Sequence, residues 1–193
     1  MKLKTLNIVA IAALAAGCAS SGDTPARPSG NGVTKAQAVK AFTDAVLGHC
    51  LPAIHTEQEF REFEVDGVTP LARLGDNRIS LFADTALPVY QMGDGVVQIQ
   101  LDAFSSCQTR SNDLPVKATF DLIGNALMQT EYRYTEQDSG YPQDGDELSR
   151  VFVSGESPDT IIVALSGTKA GAASSDTPYS NLSAVVKTGP LKD

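Results

Sequence analysis

Tryptophan is missing from this chain, histidine occurs twice and cysteine three times. So few imidazoles and thiols leave little material for a Cys/His metal centre. Basic residues are also short, with 15 Lys and Arg against 23 Asp and Glu and a formal net charge of −8. That balance, with no basic aromatic stripe, excludes nucleic acid as a partner. The apolar run Ile8–Ala16 falls far short of the ~20 residues a spanning helix needs. No Gly-x-Ser-x-Gly elbow, phosphate loop or dinucleotide fingerprint is present, and no internal repeat is visible.

What is present begins at the N-terminus. Met1-Lys2-Leu3-Lys4 is basic, Ile8–Ala16 is apolar, and the small residues Ala15-Ala16-Gly17 precede Cys18. A basic segment, a short apolar segment and a small-residue cut site describe a secretory signal over residues 1–17. Leu14-Ala15-Ala16-Gly17-Cys18 resembles the lipobox of bacterial lipoproteins, with leucine four residues before the cysteine and alanine at the more usual leucine position. The resemblance implies lipid transfer to the Cys18 thiol, cleavage before Cys18 and acylation of the new amino group. Ala19, where an aspartate would imply retention in the inner membrane, implies the outer membrane in a cell that has one, and its periplasmic face is the expected location. Two or more buried acyl chains anchor stably at ~0.8 kcal/mol per CH₂. Cleavage takes Lys2 and Lys4 away and leaves a body more acidic still.

With Cys18 committed to lipid, Cys50 and Cys107 remain. An even pair in an exported protein reads as a disulfide. Closing so long a loop stabilises by about 4 kcal/mol in the chain-entropy description.

Residues 18–33, rich in Ser, Gly and Pro, form a lipidated flexible tether with a reach of roughly 20 Å. One globular domain over 34–193 follows. Thr34 and Gln37 make a capping box; Val39, Phe42, Val46 and Cys50 repeat at helical spacing, and Pro52 is expected to end that helix. Thr56 and Glu59 open a short helix around Phe60 and Phe63, and Thr69-Pro70 opens another turn. The period then changes. Pro88–Met92 and Val96–Phe104 flank Gly93-Asp94-Gly95, a hairpin signal. Val97, Ile99, Leu101 and Ala103 point one way, with Gln98, Gln100 and Asp102 on the other side, and Cys107 shares the apolar parity. Val116, Phe120, Ile123 and Leu127 share a helical face, although Val116, Ala118, Phe120 and Leu122 also alternate as in a strand. The length of the run favours helix over 115–129. Strands are expected at Glu131–Thr135, Leu148–Val153, Thr160–Leu165 and Ala184–Thr188, with a loop from Glu136 to Glu147. Helices followed mostly by strands predict an α+β fold: N-terminal helices on a mostly antiparallel sheet, with one disulfide.

Four constellations carry possible chemistry. Ser166-Gly-Thr-Lys169, Tyr179-Ser-Asn181 and Lys187-Thr-Gly189 resemble the three motifs of serine β-lactamases and penicillin-binding peptidases. In that family the motifs come from distant elements of a larger domain, whereas here all lie within residues 166–189. His49, Cys50, His55 and Cys107 are metal-ligand types, but adjacent helical side chains diverge and the thiols are expected to pair. Asp138, Asp144, Asp146 and Glu147 lack the alternation of an EF-hand loop. Glu57, Glu59, Glu62 and Glu64 read as the wet face of a helix buried through Phe60 and Phe63. No catalytic residue, cofactor or metal is therefore assigned.

An N-terminal cysteine-bearing helix with a later strand cysteine is similar to small two-cysteine envelope lipoproteins of Gram-negative bacteria. The expectation is a lipid-anchored envelope protein, held to the membrane through Cys18, with a non-enzymatic binding or maintenance role and an envelope protein as partner. The alternative is a hydrolase acting on peptidoglycan or a related envelope substrate.

Overall fold

The computed structural model describes residues 32–56, 69–70, 81–82, 87–102, 105–112, 114–139, 147–155, 160–168 and 182–189. The expected signal, the tether up to residue 31 and the short helix around Phe60 and Phe63 lie outside these residues.

Helix α1 (Lys35–Asp44) starts where its sequence says it should. Thr34 Oγ1 accepts the Gln37 N–H at 3.2 Å, and Gln37 Oε1 accepts the Thr34 N–H at 2.9 Å. The helix runs on through a π-helical segment, Ala45–Cys50, into α2 (Leu51–Thr56). Pro52 therefore does not end it. In α-geometry proline has no N–H to give and its ring meets the carbonyl four residues back. The Leu51 N–H instead reaches the Val46 carbonyl, and this wider turn carries the chain past Pro52. The last turn closes with the Thr56 hydroxyl donating to the Pro52 carbonyl at 2.7 Å. The π segment also serves packing. Every fourth residue, Phe42, Val46, Cys50 and Ile54, is buried. In an unbroken α-helix that spacing drifts by about 40° per step. A wider turn in the middle takes up the drift and keeps the stripe on the sheet.

Among the described residues eight strands form one sheet, all neighbours antiparallel. In chain order they are β1 (Thr69–Pro70), β2 (Val89–Met92), β3 (Val97–Asp102), β4 (Ser106–Ser111), β5 (Thr135–Gln137), β6 (Glu147–Ser154), β7 (Ile161–Thr168) and β8 (Leu182–Thr188). Helix α3 (Val116–Gln129) separates β4 from β5. Across the sheet the order is β1-β2-β3-β4-β8-β7-β6-β5. Two meanders of four strands thus meet where β4 pairs with β8, and each is preceded by a helix. This twofold plan has no counterpart in the sequence as a repeat.

Helices and sheet share one core. Phe42, Val46 and Cys50 from the first helix meet Phe120, Ile123 and Leu127 of α3 over Ile99, Phe152, Val163, Leu165 and Val186. The helical reading of 115–129 holds, with Val116, Phe120, Ile123 and Leu127 all buried. The Cys50–Cys107 disulfide ties helix to β4, with a Cα separation of 5.3 Å across a sequence separation of 57. Cys107 lies opposite Leu101 on β3 and Val186 on β8, so the expected parity is right. The chain is α+β, with helices on an antiparallel sheet and one disulfide between them.

Three local expectations fail for identifiable reasons. Thr69-Pro70 is itself extended, an edge strand paired with Gln91 and Tyr90, and the residues of the turn expected after it lie outside the described residues; an edge tolerates proline because one side of its backbone needs no partner. The strand expected at Glu131–Thr135 begins only at Thr135, because Arg133 takes a φ of 52° and breaks the extended path. Glu136 and Gln137, expected in the loop that follows, lie in that strand. Gln98 and Gln100 lie on the side opposite Val97, Ile99 and Leu101, as expected, and both are buried. Gln98 Oε1 accepts the Leu81 N–H at 2.7 Å, and Gln100 Nε2 donates to the Leu87 carbonyl at 3.4 Å. Arg110 joins them, donating to the Leu81 carbonyl at 2.8 Å with its guanidinium 4.9 Å from the Phe82 ring centre. Side chains of β3 and β4 thus pair with backbone groups of Leu81 and Leu87.

Candidate functional site

Among the described residues a concave feature lies between the start of α3 and the edge where β5 leaves β6. It encloses about 580 Å³ and is lined by Lys117, Phe120 and Asp121 of α3, residues 136–139, and residues 148–150. That volume is within the range of ordinary ligand sites.

Register explains how its charged wall forms. Glu136 of β5 lies opposite Phe152 of β6, and Arg150 is two residues along on the same face. Such diagonal neighbours are within reach of long side chains. Arg150 Nε and Nη2 donate to the two oxygens of Glu136, each at 2.7 Å. Arg150 Nη1 donates to Asp121 Oδ1 at 3.2 Å, and Lys117 Nζ to Asp121 Oδ2 at 2.7 Å. Lys117 and Asp121 are one helical turn apart, the spacing at which side chains meet. The guanidinium also lies 5.0 Å from the Phe152 ring centre. These bonds hold the Asp121 and Glu136 carboxyls below the usual range, through Lys117 and Arg150 respectively. Glu136 in turn raises the Arg150 guanidinium. The wall is a neutralised network on a positioned guanidinium, able to donate and accept hydrogen bonds.

A second cluster joins α2 to the turn before β5. The His55 ring stacks on Tyr132 with centroids 3.6 Å apart and planes at 16°. His55 Nε2 lies 3.0 Å from the Tyr134 hydroxyl. Burial lowers the His55 pKa despite the pull of Glu131, and burial raises that of Tyr134. The Ser154 hydroxyl donates to the Tyr132 carbonyl and fixes the turn. With its ring covered by one tyrosine and its nitrogen bonded to another, His55 acts as a clasp between helix and turn.

Cys50 and Cys107 are joined in the core and are no metal ligands. His49 is half-buried, its pKa lowered by burial against the opposing effect of Asp44. Among the described residues no group of three or more His, Cys, Asp or Glu is placed to hold a metal ion. Ser166 lies within β7 opposite Ser183, and Lys187 pairs with Ile162, so four rungs of the ladder separate this serine from this lysine. Lys169, Tyr179 and Asn181, with Asp144, Asp146, the four glutamates from Glu57 to Glu64 and Cys18, lie outside the described residues. Asp138 reaches the cleft rim, while Glu147 is in β6 opposite Thr168.

Sequence reasoning missed Arg150, Glu136 and Asp121. The Lys117–Asp121 spacing was readable as a helical pair. The Arg150–Glu136 clamp needs the β5–β6 register, which no local pattern carries. Fold and cleft together define a disulfide-stapled α+β domain with a cleft of mixed apolar and charged lining at one edge of its sheet. The chain matches no protein-family model, no curated protein and no solved structure.

Proposed function

We propose that this chain is a lipid-anchored cell-envelope protein, held through Cys18 at the periplasmic face of the outer membrane, whose stapled domain binds a partner or ligand without turning it over. The observation that carries the reading is the cysteine inventory. Of three cysteines, Cys50 and Cys107 are joined and buried, which leaves Cys18, at the end of the lipobox-like segment, as the remaining thiol. A buried disulfide favours an oxidising compartment, in keeping with export. The cleft supports binding: its guanidinium is held by carboxylates in a fixed plane, a rigid surface for hydrogen bonds.

Radiolabelled palmitate incorporation tests the anchor. The wild-type chain takes up label and sediments with outer membranes, and Cys18→Ala loses both. Label persisting in Cys18→Ala would refute attachment at that residue. Crosslinking in intact cells tests the role. Partners recovered with the wild-type domain, and lost when the domain is removed from its anchor, support binding; an unchanged set sinks it.

A further inference from the structure

We propose that the cleft between α3 and the β5–β6 edge binds a neutral polyhydroxylated ligand, an uncharged oligosaccharide. This rests on the binding reading above and names its ligand class. The hydrogen-bonding capacity left in the wall selects that class. A guanidinium has five N–H groups, and a carboxylate offers about four acceptor positions. Arg150 commits three N–H groups to Glu136 and Asp121. Glu136 accepts two bonds from Arg150, and Asp121 accepts one from Arg150 and one from Lys117. Donors and acceptors therefore remain side by side on one wall, while the charges that carry them are already balanced.

That pairing, with Asp138 adding one more carboxylate to the lining, disfavours simple ions. A free anion meets a guanidinium bonded to two carboxylates, on a protein of net charge −8. A lone cation competes with Lys117 and Arg150 for the same oxygens. A hydroxyl needs neither displacement, since it donates to a carboxylate and accepts from an N–H. Bonds to ionised groups are also the shorter and stronger kind. A purely apolar guest such as an acyl chain would cover charged groups without replacing their water, which costs heavily. Leu148, partly buried, contributes apolar surface to the same cleft, where the C–H face of a sugar ring can rest. The volume of about 580 Å³ suits a ligand larger than one small ion.

The test is a titration of the full-length protein, isotope-labelled and held in a sugar-free detergent, followed by backbone amide NMR. The probes are an N-acetylglucosamine trisaccharide and maltotriose, with citrate as the anionic control. At least one trisaccharide should saturably shift the Gln137, Ser149 and Arg150 amides at millimolar concentration, and citrate should not. Glu136→Gln should weaken that binding about tenfold. Because Glu136→Gln also loosens the clamp, Lys117→Ala provides a second variant: its side chain is 80% exposed, so the fold should persist while binding weakens severalfold. The proposal is overturned if neither sugar shifts those amides at tens of millimolar, if the shifts map elsewhere, or if citrate binds more tightly. A silent cleft alongside a recovered crosslinked partner defeats this inference and leaves the binding reading intact. Sugar binding in the cleft with no label on Cys18 defeats the anchor alone.

Discussion

A Cβ placed on Gly124 of α3 would come within 2.6 Å of Cζ of Phe152 on β6, closer than such contacts occur. The glycine is what lets the helix settle onto the sheet at this point. Phe152 is fully buried and has nowhere to withdraw. The same Cβ would lie 3.0 Å from Arg150 Nη2, a nitrogen already committed to Glu136.

Gly124→Ala should therefore destabilise by about 1–3 kcal/mol, the usual cost of overpacking, even though alanine is the better helix former. Chemical denaturation measures it. An unchanged or raised midpoint would show that α3 can ride up without loss.

Gly48 predicts the opposite sign. It sits in the π-helical segment, and a Cβ there meets nothing within 4 Å. Gly48→Ala should stabilise by about 0.5–1 kcal/mol, because glycine has more chain entropy to lose on folding. A clear fall in the denaturation midpoint would mean the widened turn needs glycine.

Reduction of Cys50–Cys107, or the double replacement Cys50→Ala with Cys107→Ala, should cost about 2–4 kcal/mol. Both residues are at zero exposure, so the bond should resist mild reductant until the domain opens. Thiol trapping of the native, exported protein checks this: both sulfurs should be blocked, and free reaction at either would contradict the staple.

The pH dependence follows from the two histidines. Burial lowers both His49 and His55 below the ordinary value of 6.5, with Asp44 and Glu131 opposing. In each case the unfolded chain takes a proton more readily than the folded one. Their contribution is therefore full above about pH 6.5 and is lost as pH falls through the lower folded value. Denaturation midpoints should drop between pH 7.5 and pH 5, and His49→Gln with His55→Gln should flatten that drop. A second fall belongs to Glu136 and Asp121, whose carboxyls are lowered by Arg150 and Lys117, and it should set in as pH falls through about 4.5 and continue below the lower folded values. A profile flat from pH 7.5 to pH 5 in the wild-type protein would contradict the histidine account.

Much of the secondary structure was legible because its signals are local. Gly93-Asp94-Gly95 announces a hairpin, and positive φ at all three residues shows why those types stand there. The expected strands near 148–153, 160–165 and 184–188 all exist, each extending one or more residues further. Pro52 misled because its local rule, stop the helix, is overridden by a π turn that only the packing of Phe42, Val46, Cys50 and Ile54 makes worthwhile. Tyr132 and Tyr134 fall within the strand expected at Glu131–Thr135; Arg133 at positive φ lets both approach one histidine instead.

By itself the sequence determined most of the helices and strands, their apolar faces and the pairing of Cys50 with Cys107, since caps, periodicity and cysteine parity act over a few residues. Tertiary structure decided the rest. The order that sets β8 beside β4, the burial of Gln98 and Gln100, the His55 clasp and the Arg150–Glu136 wall all depend on which strands become neighbours. That choice comes from satisfying buried backbone and apolar faces across the whole chain at once, and no short stretch of residues encodes it.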